Sequence, residues 1–411
     1  MTTSPFLLEP AFHVPSNKLS ADASARIVFY LPVVTPWWFE HIVVPLIRIM
    51  ARAHETHVLI PPLWHNTGLG EEQLHLIQDL DHVQWHLLDG PDHPLLREDA
   101  SKEADLIEFV EAIAPDFVLC RSADIKTPTR FPGTVRYIME GAAPPLVTAP
   151  NWAIVAPTLF DYGMMPALTG DEFARLQPLA QSLTPALSVS SVSSRNDWLA
   201  LQGIEDGQTV IGLPLEYEHE ENFFRQHQKF PSNAAMIETL CSALPDEAVL
   251  AVTNHPLNDL YGDNIAVHAA IVASDGKAIL LDSSAIAGQA TQELAHHCDG
   301  MIVGNSKSWA ICAATGTPLL RLSDFATGDW SCAYTALSTF LADVVSGEAK
   351  ACDLEKARQW LAYHLVNAVF DPTDPTLSAQ EILDRMNHPY DPARWDAALV
   401  RYNAQSLEVA T

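Results

Sequence analysis

The sequence predicts an α/β fold made of two tandem doubly wound domains and a C-terminal helical tail. Three observations predict it. The strand candidates are continuous apolar runs, helical segments alternate with them, and the alternation begins again after Asp206-Gly207. Continuous apolar strands are typical of parallel sheets that are covered by helices on both faces, whereas a half-exposed sheet shows alternating polar positions.

The first domain is predicted over residues 1–205 and begins with an irregular arm over residues 1–25. Its strands are predicted at Arg26–Val34, His57–Pro61, Val83–Leu88, Phe117–Cys120, Val135–Met139 and Ala186–Ser190. Its helices are predicted near Glu40–Ala53, Glu71–Asp79 and Lys102–Ile113. This spacing of strand, helix and strand favours parallel pairs that are joined by right-handed crossovers.

The second domain is predicted over residues 206–370. Its strands are predicted at Thr209–Pro214, Ala248–Thr253, Ala278–Leu281, Met301–Val303 and Leu319–Leu322, and its helices at Asn233–Ala243, Ile286–His297 and Ser308–Ala314. Further helices are predicted at Glu355–Asn367, Ser378–Met386 and Pro392–Tyr402. The tail, residues 371–411, is expected to pack back across the domains.

Composition limits the classes of function. The chain has 23 Lys and Arg against 51 Asp and Glu, a formal net charge of −28, which argues against nucleic-acid binding and against adsorption to anionic lipid. Residues 141–160 carry no charge but contain four prolines, so no membrane-spanning helix is predicted there. The six cysteines lack any CxxC spacing, which indicates free thiols in a reducing compartment. We therefore predict a cytoplasmic protein without a signal peptide.

Several well-known site motifs are missing. No GxGxxG follows the first strand, no GxxxxGK[ST] occurs, and Gly304–Ser308 does not fit GxSxG. These motifs mark dinucleotide-binding, P-loop and α/β-hydrolase sites, respectively. Histidine and cysteine spacings do not match a zinc site either. The sequence predicts no metal site.

The clearest candidate site lies at two strand ends of the second domain. Asn254-His255-Pro256 follows one predicted strand, and Asn305-Ser306-Lys307-Ser308 follows another. Ligands bind at the carboxyl edge of open α/β sheets, and an imidazole can donate to a phosphate oxygen. Ser306 is predicted as the N-cap of the next helix, whose first N–H groups attract anions, and Lys307 adds positive charge. A solvated turn at His255 and an ordinary cap at Ser306 are the structural alternatives.

These segments carry a resemblance. Together with Leu213-Pro214-Leu215 and Ala313–Pro318, they look like the bacterial capsule polysaccharide biosynthesis family of GT-B glycosyltransferases, which includes β-Kdo transferases. The resemblance implies two Rossmann-like domains and a nucleotide-sugar donor, such as a CMP- or UDP-sugar, as a co-substrate without a further cofactor. It also implies that His255, Ser306 and Lys307 hold the donor phosphate and nucleotide, with Asn254, Asn305 and Ser308 in the same two loops.

The acceptor side is assigned to the first domain, where two residues are candidates for a general base. His41 follows the first strand in the segment Thr35–His41, and Glu140 ends a later strand. A base that removes the proton of an acceptor hydroxyl must reach it with a pKa near neutrality. At most one of the two is expected to act, and a retaining mechanism would use neither. Trp37 and Trp38 are candidates to stack on a sugar or a lipid acceptor, which leaves contact with the membrane face open.

We therefore predict an enzyme, a metal-independent bacterial glycosyltransferase. It would move a sugar from a nucleotide-sugar to a surface-polysaccharide or glycolipid acceptor. The alternatives are a glycerophosphate or pyruvyl transferase of the same fold, a nucleotide-sugar 2-epimerase, and a non-catalytic sugar-nucleotide-binding scaffold. The scaffold stays open because Thr253-Asn254 stands where many members of the family have a basic residue before His-Pro.

Overall fold

A computed structural model of the chain describes residues 24–101, 104–141, 146–147, 152–183, 194–281 and 290–404. These residues form two compact units. Unit 1 takes the described residues within Met1–Gly141, Pro150–Leu159 and Asn367–Ala393, and unit 2 takes those within Ala142–Ala149, Phe160–Val366 and Arg394–Thr411. Each unit contains one sheet.

The sheet of unit 1 has six strands in the order β3-β2-β1-β4-β5-β6. The strands are β1 Arg26–Tyr30, β2 Glu55–Ile60, β3 Gln84–Leu87, β4 Phe117–Cys120, β5 Thr134–Glu140 and β6 Ala153–Ala156. Five strands are parallel, and β6 pairs antiparallel with β5. The predicted parallel layer is thus confirmed, with one antiparallel edge strand that the prediction lacked.

The helices of unit 1 cover this sheet. They are Pro36–Trp38, the π-helix Phe39–Val43, Val44–Ala51, Glu71–His75, Ala104–Ile113 and Ala379–Asn387, with short 3₁₀ turns at His93–Arg97 and Pro128–Arg130. The helix predicted from Glu40 begins earlier, at Pro36, because the Thr35 hydroxyl accepts from the backbone N–H of Trp38 at 3.4 Å. Proline is well suited to a first helical position, since its missing N–H would have had no helical partner there.

The sheet of unit 2 has five strands, all parallel, in the order β11-β10-β7-β8-β9. The strands are β7 Thr209–Pro214, β8 Ala248–Thr253, β9 Ala278–Leu280, β10 Gly300–Val303 and β11 Leu319–Arg321. The order matches that of the first five strands of unit 1. β7 corresponds to β1, with β8 and β9 on one side and β10 and β11 on the other, as β2 and β3 and then β4 and β5 flank β1. The predicted fold class, two doubly wound Rossmann-like domains with a helical tail, is confirmed.

Helices cover the second sheet as well. They are Gly170–Ser182, Arg195–Gln202, Asn233–Ala243, Pro256–Tyr261, Ile265–Ala273, Ala290–His297, Trp309–Thr315, Leu337–Ser346, Leu354–Tyr363 and Trp395–Ala404. Shorter turns lie at Phe223–His227, Asp329–Ser331, His364–Ala368 and Pro392–Arg394. The predicted strand Ala186–Ser190 and the first four residues of the predicted helix Ile286–His297 lie outside the described residues.

The compact units divide the chain differently from the predicted boundary at residue 205. Helix Gly170–Ser182, whose residues fall within the predicted first domain, packs against Leu354–Tyr363 within unit 2. The predicted tail is divided as well. Ile382 and Met386 lie in the core cluster of unit 1, whereas Trp395 stacks under the Arg175 guanidinium in unit 2.

Candidate functional site

The carboxyl ends of β7, β8 and β10 lie side by side at one edge of the unit 2 sheet. β7 pairs with β8 on one side and with β10 on the other. The chain therefore adds β8 and β9 on one side of β7 and then crosses to the other side, where it adds β10 and β11. This reversal of strand order is the position where open α/β sheets form a ligand crevice. The loops that meet there begin at Glu216, Asn254 and Gly304.

Glu216 ties the β7 end to the β10 end. Its Oε1 accepts from the backbone N–H of Asn305 at 2.6 Å, and a Cβ on Gly304 would lie 2.6 Å from the Glu216 carboxyl carbon. Burial raises the pKa of Glu216, and the Asn305 N–H and the Arg321 charge oppose that shift. Gly304 is therefore needed for the carboxylate to approach the turn. Sequence reasoning missed Glu216, although it directly follows the Leu213-Pro214-Leu215 run.

His255 is held in a defined orientation at the end of β8. It is the N-cap of helix Pro256–Tyr261, and its Nδ1 accepts from the backbone N–H of Leu257 at 3.2 Å. An accepting Nδ1 leaves the proton of the neutral ring on Nε2, which is then a donor. Burial, together with the nearby Lys307, lowers the pKa of His255 and outweighs the opposite effect of Asp259. The ring is therefore neutral at pH 7, and it lies 5.6 Å from the Tyr217 ring.

The side chain of Asn254 is used inside its own loop. Its Oδ1 accepts from the His255 N–H at 3.0 Å and from Asn258 Nδ2 at 3.1 Å, while its Nδ2 donates to Asp259 at 2.5 Å. Asn258 also donates to the Glu216 carbonyl at 2.9 Å. The loop after β8 is thus hydrogen-bonded to the loop after β7 through Asn258, and Asn254 holds the backbone N–H of His255.

The third loop, Gly304–Ser308, differs from the prediction at its cap. The helix begins at Trp309, and its N-cap is Ser308, which makes no side-chain cap bond. Ser306 does not cap the helix, because its Oγ accepts from the N–H and the hydroxyl of Ser308 at 3.2 and 2.9 Å. Asn305 donates to the His227 carbonyl at 2.8 Å. The charge of Lys307 helps to lower the pKa of His255, so Lys307 brings positive charge to the same edge of the sheet.

Arg321 supports this loop from the end of β11. Its side chain is 4% exposed, and its Nε donates to the Gly304 carbonyl at 2.6 Å. Tyr162, whose ring lies 4.7 Å from the guanidinium carbon, also donates to the Asn305 carbonyl at 3.1 Å. Sequence reasoning missed both residues, since neither stands in a motif.

The two base candidates lie at the corresponding edge of the unit 1 sheet. His41 is part of the π-helical turn Phe39–Val43, a type of turn that is frequent at functional sites, and its ring lies 5.0 Å from Trp37. Glu140 is exposed and ends β5. Trp38 is buried under the Arg121 guanidinium, 3.8 Å away, so of the two tryptophans only Trp37, at 44% exposed, offers a surface for stacking.

The described residues also bear on metal binding and on membrane crossing. Within those ranges, no three His, Cys, Asp or Glu side chains are grouped as a metal ion requires. None of the helices in the same ranges combines the length and the apolar character needed to cross a bilayer. All six cysteines are free; five of them are buried, and Cys332 is exposed.

The chain is similar to solved structures of glycosyltransferases, as the sequence resemblance implied. One is the β-Kdo 2,7-transferase KpsC of Thermosulfurimonas dismutans, with a TM-score of 0.45, 10% identity, and coverage of 82% of this chain and 100% of that one. Another is HepE of Anabaena in complex with UDP and glucose, with a TM-score of 0.30, 10% identity, and coverage of 92% and 99%.

A third similar structure is a candidate UDP-N-acetylglucosamine 2-epimerase of Listeria monocytogenes, with a TM-score of 0.28 and 13% identity. The match covers 90% of this chain and 98% of that one. No family model and no curated protein matches the chain.

Proposed function

We propose that this protein is a glycosyltransferase that transfers a sugar from a nucleotide-sugar to a saccharide or lipid-linked acceptor. One observation carries the proposal. At the strand-order reversal of unit 2, His255 follows β8 and Lys307 follows β10, the two strands that flank β7, and the bond from the Leu257 N–H leaves Nε2 of a neutral His255 as a donor. A cation and a fixed neutral donor at this edge suit the phosphate of a nucleotide.

The same two groups suit the chemistry of transfer. When the bond between the sugar and the donor phosphate breaks, negative charge develops on the phosphate of the leaving nucleotide. Donors that are already oriented stabilise such charge without reorganising. The Leu257 N–H fixes the imidazole of His255, and the bond from Asn305 to Glu216 fixes the turn that carries Ser306 and Lys307.

The acceptor hydroxyl needs a base if the transfer inverts the anomeric configuration. We assign that role to one of the two unit 1 candidates, His41 or Glu140. If the configuration is retained, neither residue has this role, and a neutral substitution of either leaves transfer unchanged. Metal independence belongs to this proposal and is tested by assaying transfer with and without a chelator.

Thermal unfolding in the presence of nucleotides tests the donor site. A ligand at 100 times its dissociation constant stabilises the native state by about 2.7 kcal/mol, which raises the melting temperature by about 5–10 °C for a unit of this size. We expect one of CMP, CDP, UDP, GDP or ADP to raise it in the wild type. The rise should be lost in His255→Ala and kept in His268→Ala, a control on an exposed histidine of unit 2.

The outcomes separate the alternatives. If no nucleotide stabilises the wild type at millimolar concentration, the proposed site is wrong. If a nucleotide binds but its sugar derivatives are neither hydrolysed nor transferred, the protein is a binding scaffold. Conversion of the nucleotide-sugar to its 2-epimer in the absence of any acceptor would identify an epimerase instead.

A further inference from the structure

A cavity of about 250 Å³ lies in unit 2 beside β11, the edge strand of the sheet. Its lining comes entirely from residues 321–335. The two ends of this segment are paired, since Arg321 N–H donates to the Tyr334 carbonyl at 2.9 Å and Tyr334 N–H donates to the Leu319 carbonyl at 2.7 Å. The cavity is thus lined by one loop whose two ends are joined by backbone hydrogen bonds.

Arg321 brings a buried positive charge to the wall of this cavity. Its Nε donates to the Gly304 carbonyl, its Nη2 to the Phe160 carbonyl at 3.1 Å and to Ser323 Oγ at 3.4 Å, and its Nη1 to Thr327 Oγ1 at 3.3 Å. A guanidinium has five N–H donors, so these four bonds leave one Nη1 N–H over. That nitrogen is on the side of Thr327, which also lines the cavity.

All four acceptors are neutral. Among the described residues, no carboxylate forms an ion pair with Arg321, although Glu216 and Asp161 act on it from farther away. A buried charge without a close counter-ion is costly, and burial accordingly lowers the pKa of Arg321. An anion in the cavity would supply the missing partner.

We propose that the cavity beside β11 binds a small oxyanion, a phosphate or a carboxylate, against the Nη1 of Arg321. Ser323 and Thr327, which accept from Arg321, line the same cavity. A water molecule occupies about 30 Å³ in the liquid, so 250 Å³ holds a phosphate with several waters, or a small phosphorylated or carboxylated molecule. The exposed Asp329 also lines the cavity and lowers the affinity for an anion by like-charge repulsion.

Cys332 supplies a reporter for the experiment, because it lines the cavity and is the exposed one of the six cysteines. The rate at which N-ethylmaleimide modifies Cys332 is measured against increasing inorganic phosphate, with sodium chloride at matched ionic strength as the control. Acetate serves as the carboxylate probe. Cys332→Ser confirms that the modified thiol is the intended one.

We expect phosphate, acetate or both to slow the modification at least five-fold, with saturation, while chloride does not. Arg321→Met should abolish this protection. Asp329→Asn should lower the half-saturating concentration of the anion about two- to five-fold, because a repulsive charge is removed. Misfolding would not produce this tighter binding. The relative strength of phosphate and acetate then identifies the class of oxyanion.

Any of three results would overturn the inference. The first is the absence of saturable protection by either anion in the wild type, and the second is the same half-saturating concentration in Asp329→Asn. The third is loss of protection in His255→Ala, which would put the anion at the nucleotide site instead. Since protection is expected to persist in His255→Ala, failure of the proposed nucleotide site and failure of this cavity site can be told apart.

Discussion

Gly304→Ala is the sharpest test of the contact that joins the ends of β7 and β10. The new Cβ would lie 2.6 Å from the carboxyl carbon of Glu216, well inside van der Waals contact. The carboxylate must then move away, although it is held at 2.6 Å by the N–H of Asn305. The substitution therefore breaks that hydrogen bond.

The expected cost follows from the bond that is lost. Hydrogen bonds to charged groups contribute about 1.5–3 kcal/mol, and an N–H left buried without a partner costs a similar amount. We expect Gly304→Ala to lower the free energy of unfolding by about 2 kcal/mol, which corresponds to about 4–8 °C in melting temperature. Because the same turn carries Lys307, nucleotide affinity should fall as well.

Thermal unfolding of four variants measures this cost. Gly170→Ala is the matched control, since a Cβ there meets no atom within 4 Å and alanine is the better helix former. Glu216→Ala removes the carboxylate, so in that background Gly304→Ala should cost less than about 0.5 kcal/mol. A coupling of at least 1 kcal/mol is expected from the double-mutant cycle. Equal costs in both backgrounds would refute the reasoning.

Further outcomes concern unit 1 and the catalytic base. Burial and the nearby His57 lower the pKa of His86 to about 4, so the unfolded state binds a proton more readily than the folded state. Stability should therefore fall as pH drops from about 6.5 towards 4, by up to about 3 kcal/mol. His86→Phe should flatten this part of the pH profile in chemical denaturation, and an unchanged slope would contradict the assignment. For an inverting transferase, either His41→Gln or Glu140→Gln should lower kcat at least 100-fold with little change in nucleotide binding. The other variant should stay near the wild type, and equal losses in both would argue against a single base.

Much of the fold was predictable because the residues that begin and end a strand lie close together in the sequence. β4, β7 and β8 have the predicted bounds, since each is an apolar run, and β7 and β8 end at Pro214 and before His255-Pro256. Helix Gly170–Ser182 was missed although Thr169 and Glu172 form a capping box, because Pro178 argues against a helix there. Helix Ile265–Ala273 was missed because its residues carry no charged face.

The candidate site was only half predictable, for a physical reason. His255 and Lys307 stand in short motifs at strand ends, so a pattern can find them. Glu216 acts through Asn305, which is 89 residues away in the sequence, and Arg321 acts through Gly304, which is 17 residues away. Such pairs exist only after the strands have been ordered in the sheet. Ser306 was wrongly predicted as the N-cap because Ser308, two residues on, stands at the same helix start.

The division of the chain between the two units has a consequence for biosynthesis. The core of unit 1 includes Phe370, Ile382 and Met386 as well as residues of β1 and β2, and the fully buried Trp395 belongs to unit 2. Domains usually fold in order as they leave the ribosome, the N-terminal one first. Here the part of the first sheet around β5 and β6, against which helix Ala379–Asn387 packs, stays uncovered until residues 370–387 have emerged. Nascent chains stalled before residue 370 should therefore remain dependent on chaperones.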